Sequence, residues 1–132
     1  MFSDPWSAND FVDSISAGVP FLVATAGDQV AGYAVAHYAG DEGEILNLGV
    51  GTAHRRRGIG RALVEEILRM LGRRGVRSAY LEVRESNSAA QRLYEALGFT
   101  KVGLRTRYYR RPVEDAVILR AAIPAVRVSA KL

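Results

Sequence analysis

Cysteine is missing from this chain, and its two histidines, His37 and His54, stand alone rather than in a metal-like spacing. The first absence excludes disulfides, thiolate nucleophiles and Cys-based metal sites. The second makes both histidines surface or structural residues, and no metal is expected. No apolar run approaches the ~18 residues of a membrane helix, so a membrane partner is not expected. The opening MFSDPWSAND has no basic stretch followed by an apolar one, so it does not read as a secretory leader. A cytoplasmic location is the expectation. Two nucleotide signatures are also lacking: G-x-x-x-x-G-K-[ST], and G-x-G-x-x-G with its downstream acidic residue.

What is present suits one soluble domain. The chain has 132 residues, 48% of them hydrophobic, enough to bury roughly two-thirds of its unfolded surface. The net charge of +4 comes mostly from arginines grouped at 55–57, 73–77 and 105–111. Such a balance serves solubility or attracts a polyanion, either a phosphorylated cofactor or nucleic acid. The basic groups carry few interleaved aromatics apart from Tyr108 and Tyr109, so direct nucleic-acid binding is not expected.

Hydrophobic patterning orders the elements. A short helix capped by Ser7 or Asn9 reaches about Ala17. Phe21 to Ala26 and Gln29 to Ala39 read as strands around a Gly27-Asp28 hairpin turn. Gly40 to Gly43 reads as a turn and Glu44 to Val50 as a strand. A helix over 59–74 ends near Gly75, and Ser78 to Val83 is a strand. Strand–helix–strand implies a parallel, right-handed crossover, which should bury both faces of the second strand. Ser88 to Leu97 is a helix stopped by Gly98. Val102 to Tyr108 and Asp115 to Ala121 are strands, paired antiparallel across a loop. Residues 1–123 form one domain, and 124–132 read as a loose tail.

The run Arg55 to Arg74, RRRGIGRALVEEILRMLGRR, is the most informative stretch. Its apolar residues at 59, 63, 67, 70 and 71 mark one helical face, and Gly58 and Gly60 sit where the helix begins. A helix start offers unpaired N–H groups and the positive end of the dipole. Glycine there lets a phosphate approach the backbone. A basic Gly turn is often only a solvated surface, so the signal needs a second element.

That element is NSAAQRLYEALGF, Asn87 to Phe99. Arg55, Gly58 and Gly60 match Q/R-x-x-G-x-G/A. Asn87, Ala90, Leu93, Tyr94, Glu95, Gly98 and Phe99 match N-x-x-A-x-x-L-Y-E-x-x-G-F. With a strand between them, the two blocks resemble the GCN5-related N-acetyltransferase (GNAT) superfamily. LEVRESN (Leu81 to Asn87) and the later RYY…EDAVIL resemble its RimI branch, the ribosomal-protein-alanine N-acetyltransferases.

The resemblance implies a mixed α/β fold: a mostly antiparallel sheet with a central parallel βαβ unit. It also implies a bulged strand at 44–50 that splays from strand 78–83 to admit the pantetheine arm of acetyl-CoA. Leu48, Gly49 and Val50 would face the arm through their backbone. Arg56, Arg57, Gly58, Ile59, Gly60 and Arg61 would hold the pyrophosphate, and Asn87 would touch the cofactor further on. Glu82 would be the base and Tyr94 the acid, with the acetyl group passing directly to an amine. The implied acceptor is a protein N-terminus, with ribosomal alanine as the type case. The family's first strand and helix have no counterpart in the sequence given: either the true start lies upstream, or this is a short form, in which case a sheet edge would be open to pairing, for instance in a homodimer. Gly51-Thr52 stands where Asp-Pro is usual, and the connection between Tyr109 and Glu114 is short.

Apart from the resemblance, other readings stay open. Glu82 interrupts an apolar strand and could simply pair with Arg84 or another arginine. Tyr94 lies on the apolar side of its helix, and Asn87 could be only an N-cap. Arg105 to Arg111 could be only a solvated face, although the resemblance makes Tyr108 or Tyr109 a candidate for lining the acceptor site. A small amine or a lysine as acceptor, or a non-catalytic acyl-CoA-binding module, are the alternatives to α-amine acetylation.

Overall fold

The computed structural model describes residues 20–54, 58–110 and 113–124. The helix read between Ser7 and Ala17, the side chains of Arg55 to Arg57, and the tail beyond Pro124 lie outside the described residues. Six strands form one sheet: β1 (Phe21–Ala26), β2 (Gln29–Ala39), β3 (Glu42–Val50), β4 (Ser78–Arg84), β5 (Thr100–Arg110) and β6 (Val113–Ala122). Helices α1 (Ile59–Arg73) and α2 (Ser88–Ala96) follow β3 and β4. The sheet order is β1-β2-β3-β4-β6-β5. Only β3 and β4 run parallel among these pairs; the others are antiparallel.

Both helices pack on one face. From α1, Leu63, Val64, Ile67 and Leu71 are buried, the stripe that a period of 3.6 dictates. Its solvent side carries ion pairs, Arg61–Glu65 and Glu66 with Arg69 and Arg73. Tyr94 from α2 joins the same core, with Ala34 and Ala36 of β2, Ile45 of β3, Leu81 and Val83 of β4, and Val117 and Leu119 of β6. The Phe99 N–H bonds back to the Tyr94 carbonyl at 3.0 Å, and the two rings meet edge to face at 5.5 Å. The end of α2 is thereby tied to the start of β5.

Three sequence expectations need correction. The turn after β2 is Gly40-Asp41 alone, and Glu42 already pairs with Ala39, because backbone pairing overrides the turn propensity of Asp and Gly. β4 is not buried on both faces: Ala79, Leu81 and Val83 are buried, while Ser78, Tyr80, Glu82 and Arg84 alternate with them at intermediate exposure. The helices cover one side of the sheet, so the strand shows a period of two. β5 and β6 also run further than Tyr108 and Asp115: Tyr109 faces Glu114 and Arg110 faces Val113 across the ladder.

Candidate active site

β3 and β4 pair only at Glu42–Ser78, Gly43–Ala79 and Glu44–Tyr80. Beyond these the strands part. The cause lies in β3: Val35 faces Asn47 while Ala36 faces Ile45, so Leu46 is an extra residue in the ladder with β2. A bulge of this kind bends its strand and raises the local twist. Here it carries β3 away from β4.

The parting opens a cleft of about 680 Å³, whose walls include Leu48, Glu82, Asn87, Leu93 and Tyr94. The predicted base and acid thus reach one space from different elements. Leu48 lies in the wall, while Gly49 and Val50 continue β3 toward the start of α1. Gly49 is there for packing: a Cβ would collide with the Tyr33 ring. A Cβ on Gly60 would lie 3.6 Å from Val50 and 3.8 Å from Leu93, so the first turn of α1 abuts both the end of β3 and α2.

Gly58 precedes that turn in a left-handed conformation (φ 74°), with no side-chain cap. The first N–H groups of α1, around Ile59, Gly60 and Arg61, are those no helix can pair internally. A Cβ at Gly58 would meet none of the described residues within 4 Å. The Arg61 side chain turns back to Glu65 at 3.7 Å. Arg56 and Arg57 lie outside the described residues. Asn87 accepts a hydrogen bond from the Ala90 N–H at 3.1 Å as the cap of α2, and it also borders the cleft.

Glu82 is 14% exposed, and its Oε1 lies 3.2 Å from Arg105 Nε. The partner is thus Arg105, two strands away on β5, and not Arg84. Oε2 is buried and lacks a hydrogen-bond partner among the described residues. Arg84 instead pairs with Glu114 at 3.1 Å and stacks on the Tyr109 ring at 4.2 Å. Hydrogen bonds from Ser86 hold the Glu114 carboxyl below its ordinary range, including the Ser86 N–H at 2.7 Å. Tyr94 is 6% exposed, and burial pushes its hydroxyl up to about 12. A phenol so placed is a proton donor and not a phenolate at neutral pH.

Of the two candidate tyrosines near the end of β5, Tyr109 borders the cleft and Tyr108 is exposed. Burial, followed by the Glu82 charge, raises the Tyr109 hydroxyl above its ordinary value. Its placement depends on an irregularity that sequence reasoning missed. Thr106, Arg107 and Tyr108 lie opposite Asp115 alone, Arg107 takes a positive φ of 51°, and its N–H donates to Asp115 Oδ1 at 2.8 Å. Asn47 was also missed, and it borders the cleft from β3. His37 pairs with Glu44 at 3.2 Å on the sheet surface. Among the described residues, no group of three His, Cys, Asp or Glu could hold a metal ion, and no helix is long and apolar enough to cross a membrane.

Residues 2–99 match the sequence model described as "Acetyltransferase (GNAT) family". The [Ribosomal protein bS18]-alanine N-acetyltransferase of Salmonella typhimurium is 39% identical over 117 residues, which is 87% of this chain and 79% of that protein. The N-alpha-acetyltransferase RimI of Mycobacterium tuberculosis is 41% identical over 122 residues, 89% of this chain and 75% of that protein. In three dimensions, the ribosomal-protein-S18-alanine N-acetyltransferase from Escherichia coli superimposes with a TM-score of 0.78 at 28% identity. It covers 100% of this chain and 97% of that one.

Proposed function

The chain belongs to the GNAT acetyltransferase family, and we propose that it moves the acetyl group of acetyl-CoA directly to the α-amine of a protein N-terminus. Alanine at the head of a ribosomal protein is the leading acceptor, as in the names of its relatives. The observation that carries this reading is the single cleft, opened by the Leu46 bulge, that Glu82 and Tyr94 both border.

Each part has a task. The N–H groups opening α1, with Gly58 giving access, suit a pyrophosphate, and Arg56 and Arg57, which precede Gly58 in the sequence, would add positive charge. Backbone groups at Leu48, Gly49 and Val50 suit the pantetheine arm and the developing oxyanion, usually a large term in acyl transfer. Asn87 borders the arm's path. Glu82 takes a proton from the incoming ammonium, directly or through water, and the neutral amine attacks the thioester carbonyl. As the C–S bond breaks, Tyr94 gives its proton to the leaving sulfur. No acyl-enzyme is needed, because holding both reactants together already removes much of the barrier.

The acceptor class follows from acidity. An α-amine with pKa near 7.8 is about 14% neutral at pH 7, whereas a lysine near 10.4 is neutral on the order of 0.04% of the time. One partly buried carboxylate is adequate help for the first and poor help for the second. The cytoplasm, where acetyl-CoA meets ribosomal proteins, is the compartment this reading requires.

The test is CoA release with acetyl-CoA and a peptide bearing free N-terminal alanine, beside the same peptide with that amine blocked. Turnover confined to the free amine is expected. Equal turnover would move the acceptor to a lysine side chain. Binding of acetyl-CoA without turnover would leave a non-catalytic acyl-CoA-binding role.

A further inference from the structure

Asn47 has no part in the chemistry above, yet it stands in the wall of the cleft. It directly follows the bulged Leu46 and pairs in register with Val35. From β2 the Tyr33 hydroxyl reaches it diagonally and donates to Asn47 Oδ1 at 3.2 Å. Tyr33 is 1% exposed, and its ring is wedged so tightly over Gly49 that no Cβ fits there. A ring held in that way has one place for its hydroxyl, so the Asn47 amide is oriented by packing on the opposite strand. With Oδ1 accepting from Tyr33, the amide keeps its two Nδ2 hydrogens as donors, beside one remaining lone pair on the oxygen.

The sheet faces fit this role. Ala34, Ala36, Leu81 and Val83 belong to the helix-side core. Residues alternate along a strand, and directly paired residues share a face. Tyr33, Asn47 and Glu82 therefore lie on the other face. The parted strands place a donor amide on one wall of the opening and an acceptor carboxylate on the other.

We propose that Asn47, oriented by Tyr33, is a specificity-determining residue that donates a hydrogen bond to the carbonyl of the acceptor's first residue. The cleft thereby selects peptide α-amines over amines lacking that oxygen. This rests on the acceptor reading given above. In a peptide N-terminus the carbonyl carbon is two bonds from the attacking nitrogen, while in lysine or an alkylamine that position is a methylene. A donor left unpaired in a closed site is what produces discrimination between such substrates.

The experiment measures kcat and KM of wild type, Asn47→Ala, Asn47→Asp and Tyr33→Phe with two acceptors. One is an alanyl peptide, and the other is the same peptide with its first amide replaced by an (E)-alkene. Asn47→Ala is expected to lower kcat/KM for the peptide about tenfold. The loss should lie mainly in the acceptor KM, with the acetyl-CoA KM unchanged and the alkene analogue unaffected. Asn47→Asp keeps the acceptor for Tyr33 but loses the donor, so it should reproduce the loss in a folded protein. Tyr33→Phe should show a smaller loss of the same kind. Equal losses on both acceptors, or a changed acetyl-CoA KM, would assign Asn47 to holding the bulge and overturn the proposal. Normal peptide kinetics in both Asn47 variants would overturn it too, leaving α-amine acetylation intact. A wild type inert toward any free α-amine would remove both.

Discussion

Arg105 Nε lies 3.2 Å from Glu82 Oε1, reaching over β6 from the far edge of the sheet, while Glu82 Oε2 is buried without a partner among the described residues. One oxygen is anchored, and no described group competes for the other. Glu82→Gln keeps the shape and removes the proposed base, so kcat should fall by roughly 10²–10⁴-fold with acetyl-CoA affinity retained. Near-normal turnover would end the assignment. Arg105→Gln should lower kcat less, by about tenfold, and Arg105→Lys should recover part of it. Steady-state kinetics beside acetyl-CoA titration separates these effects from loss of fold.

Tyr94 offers a test in both activity and stability. Tyr94→Phe retains the edge-to-face contact with Phe99 and should keep cofactor affinity while kcat falls by about 10²-fold or more. With its hydroxyl pushed up to about 12 by burial, against about 10 in the unfolded chain, the folded state holds the proton more tightly. Its stabilising contribution is therefore complete below pH 10 and is lost as pH rises from 10 to 12, by roughly 2–3 kcal/mol. Melting temperature against pH should fall more steeply there for wild type than for Tyr94→Phe. Parallel curves would contradict this.

The two glycines beside the cleft should fail differently. At Gly58, valine meets no atom of the described residues at its Cβ but must adopt φ 74°, a strain of about 1–2 kcal/mol, and it fills the approach to the helix N-terminus. Acetyl-CoA affinity should drop far more than stability. At Gly49, alanine would collide with the Tyr33 ring, and overpacking of this sort costs about 1–3 kcal/mol, so the melting temperature should fall first. Isothermal titration with CoA and thermal melts on both variants check the contrast.

Arg107 holds a positive φ only because the widened β5 ladder requires it there. Arg107→Gly should be neutral or stabilising by up to about 1 kcal/mol. Asp115→Ala removes the acceptor of the Arg107 N–H and should raise the acceptor KM by freeing the segment that carries Tyr109, with acetyl-CoA KM unchanged. A change confined to acetyl-CoA would disconnect the irregularity from the acceptor.

Much of this was legible along the chain because it depends on local pattern. The α1 stripe, the Gly27-Asp28 hairpin and the Asn87 cap each follow from residues within a turn or two of one another. The blocks around Gly58 and Tyr94 are likewise contiguous. Reading β4 as buried on both faces failed because a crossover says nothing about what covers the far side of a sheet.

By itself, then, the sequence determined the elements, their order, the phosphate-suited helix start and the two residues nominated as base and acid. The elements and the helix start rest on periodicity, backbone preference and short-range spacing, which a linear chain carries in full, whereas the base and acid were nominated by the resemblance of LEVRESN and NSAAQRLYEALGF to a known family. Only the tertiary structure decided that β6 enters between β4 and β5, that Leu46 is the extra residue parting β3 from β4, that Glu82 answers to Arg105, and that Tyr33 orients Asn47. Each is a contact between distant residues, set by register and packing across strands, and no local signal in the chain encodes which partner a side chain will meet.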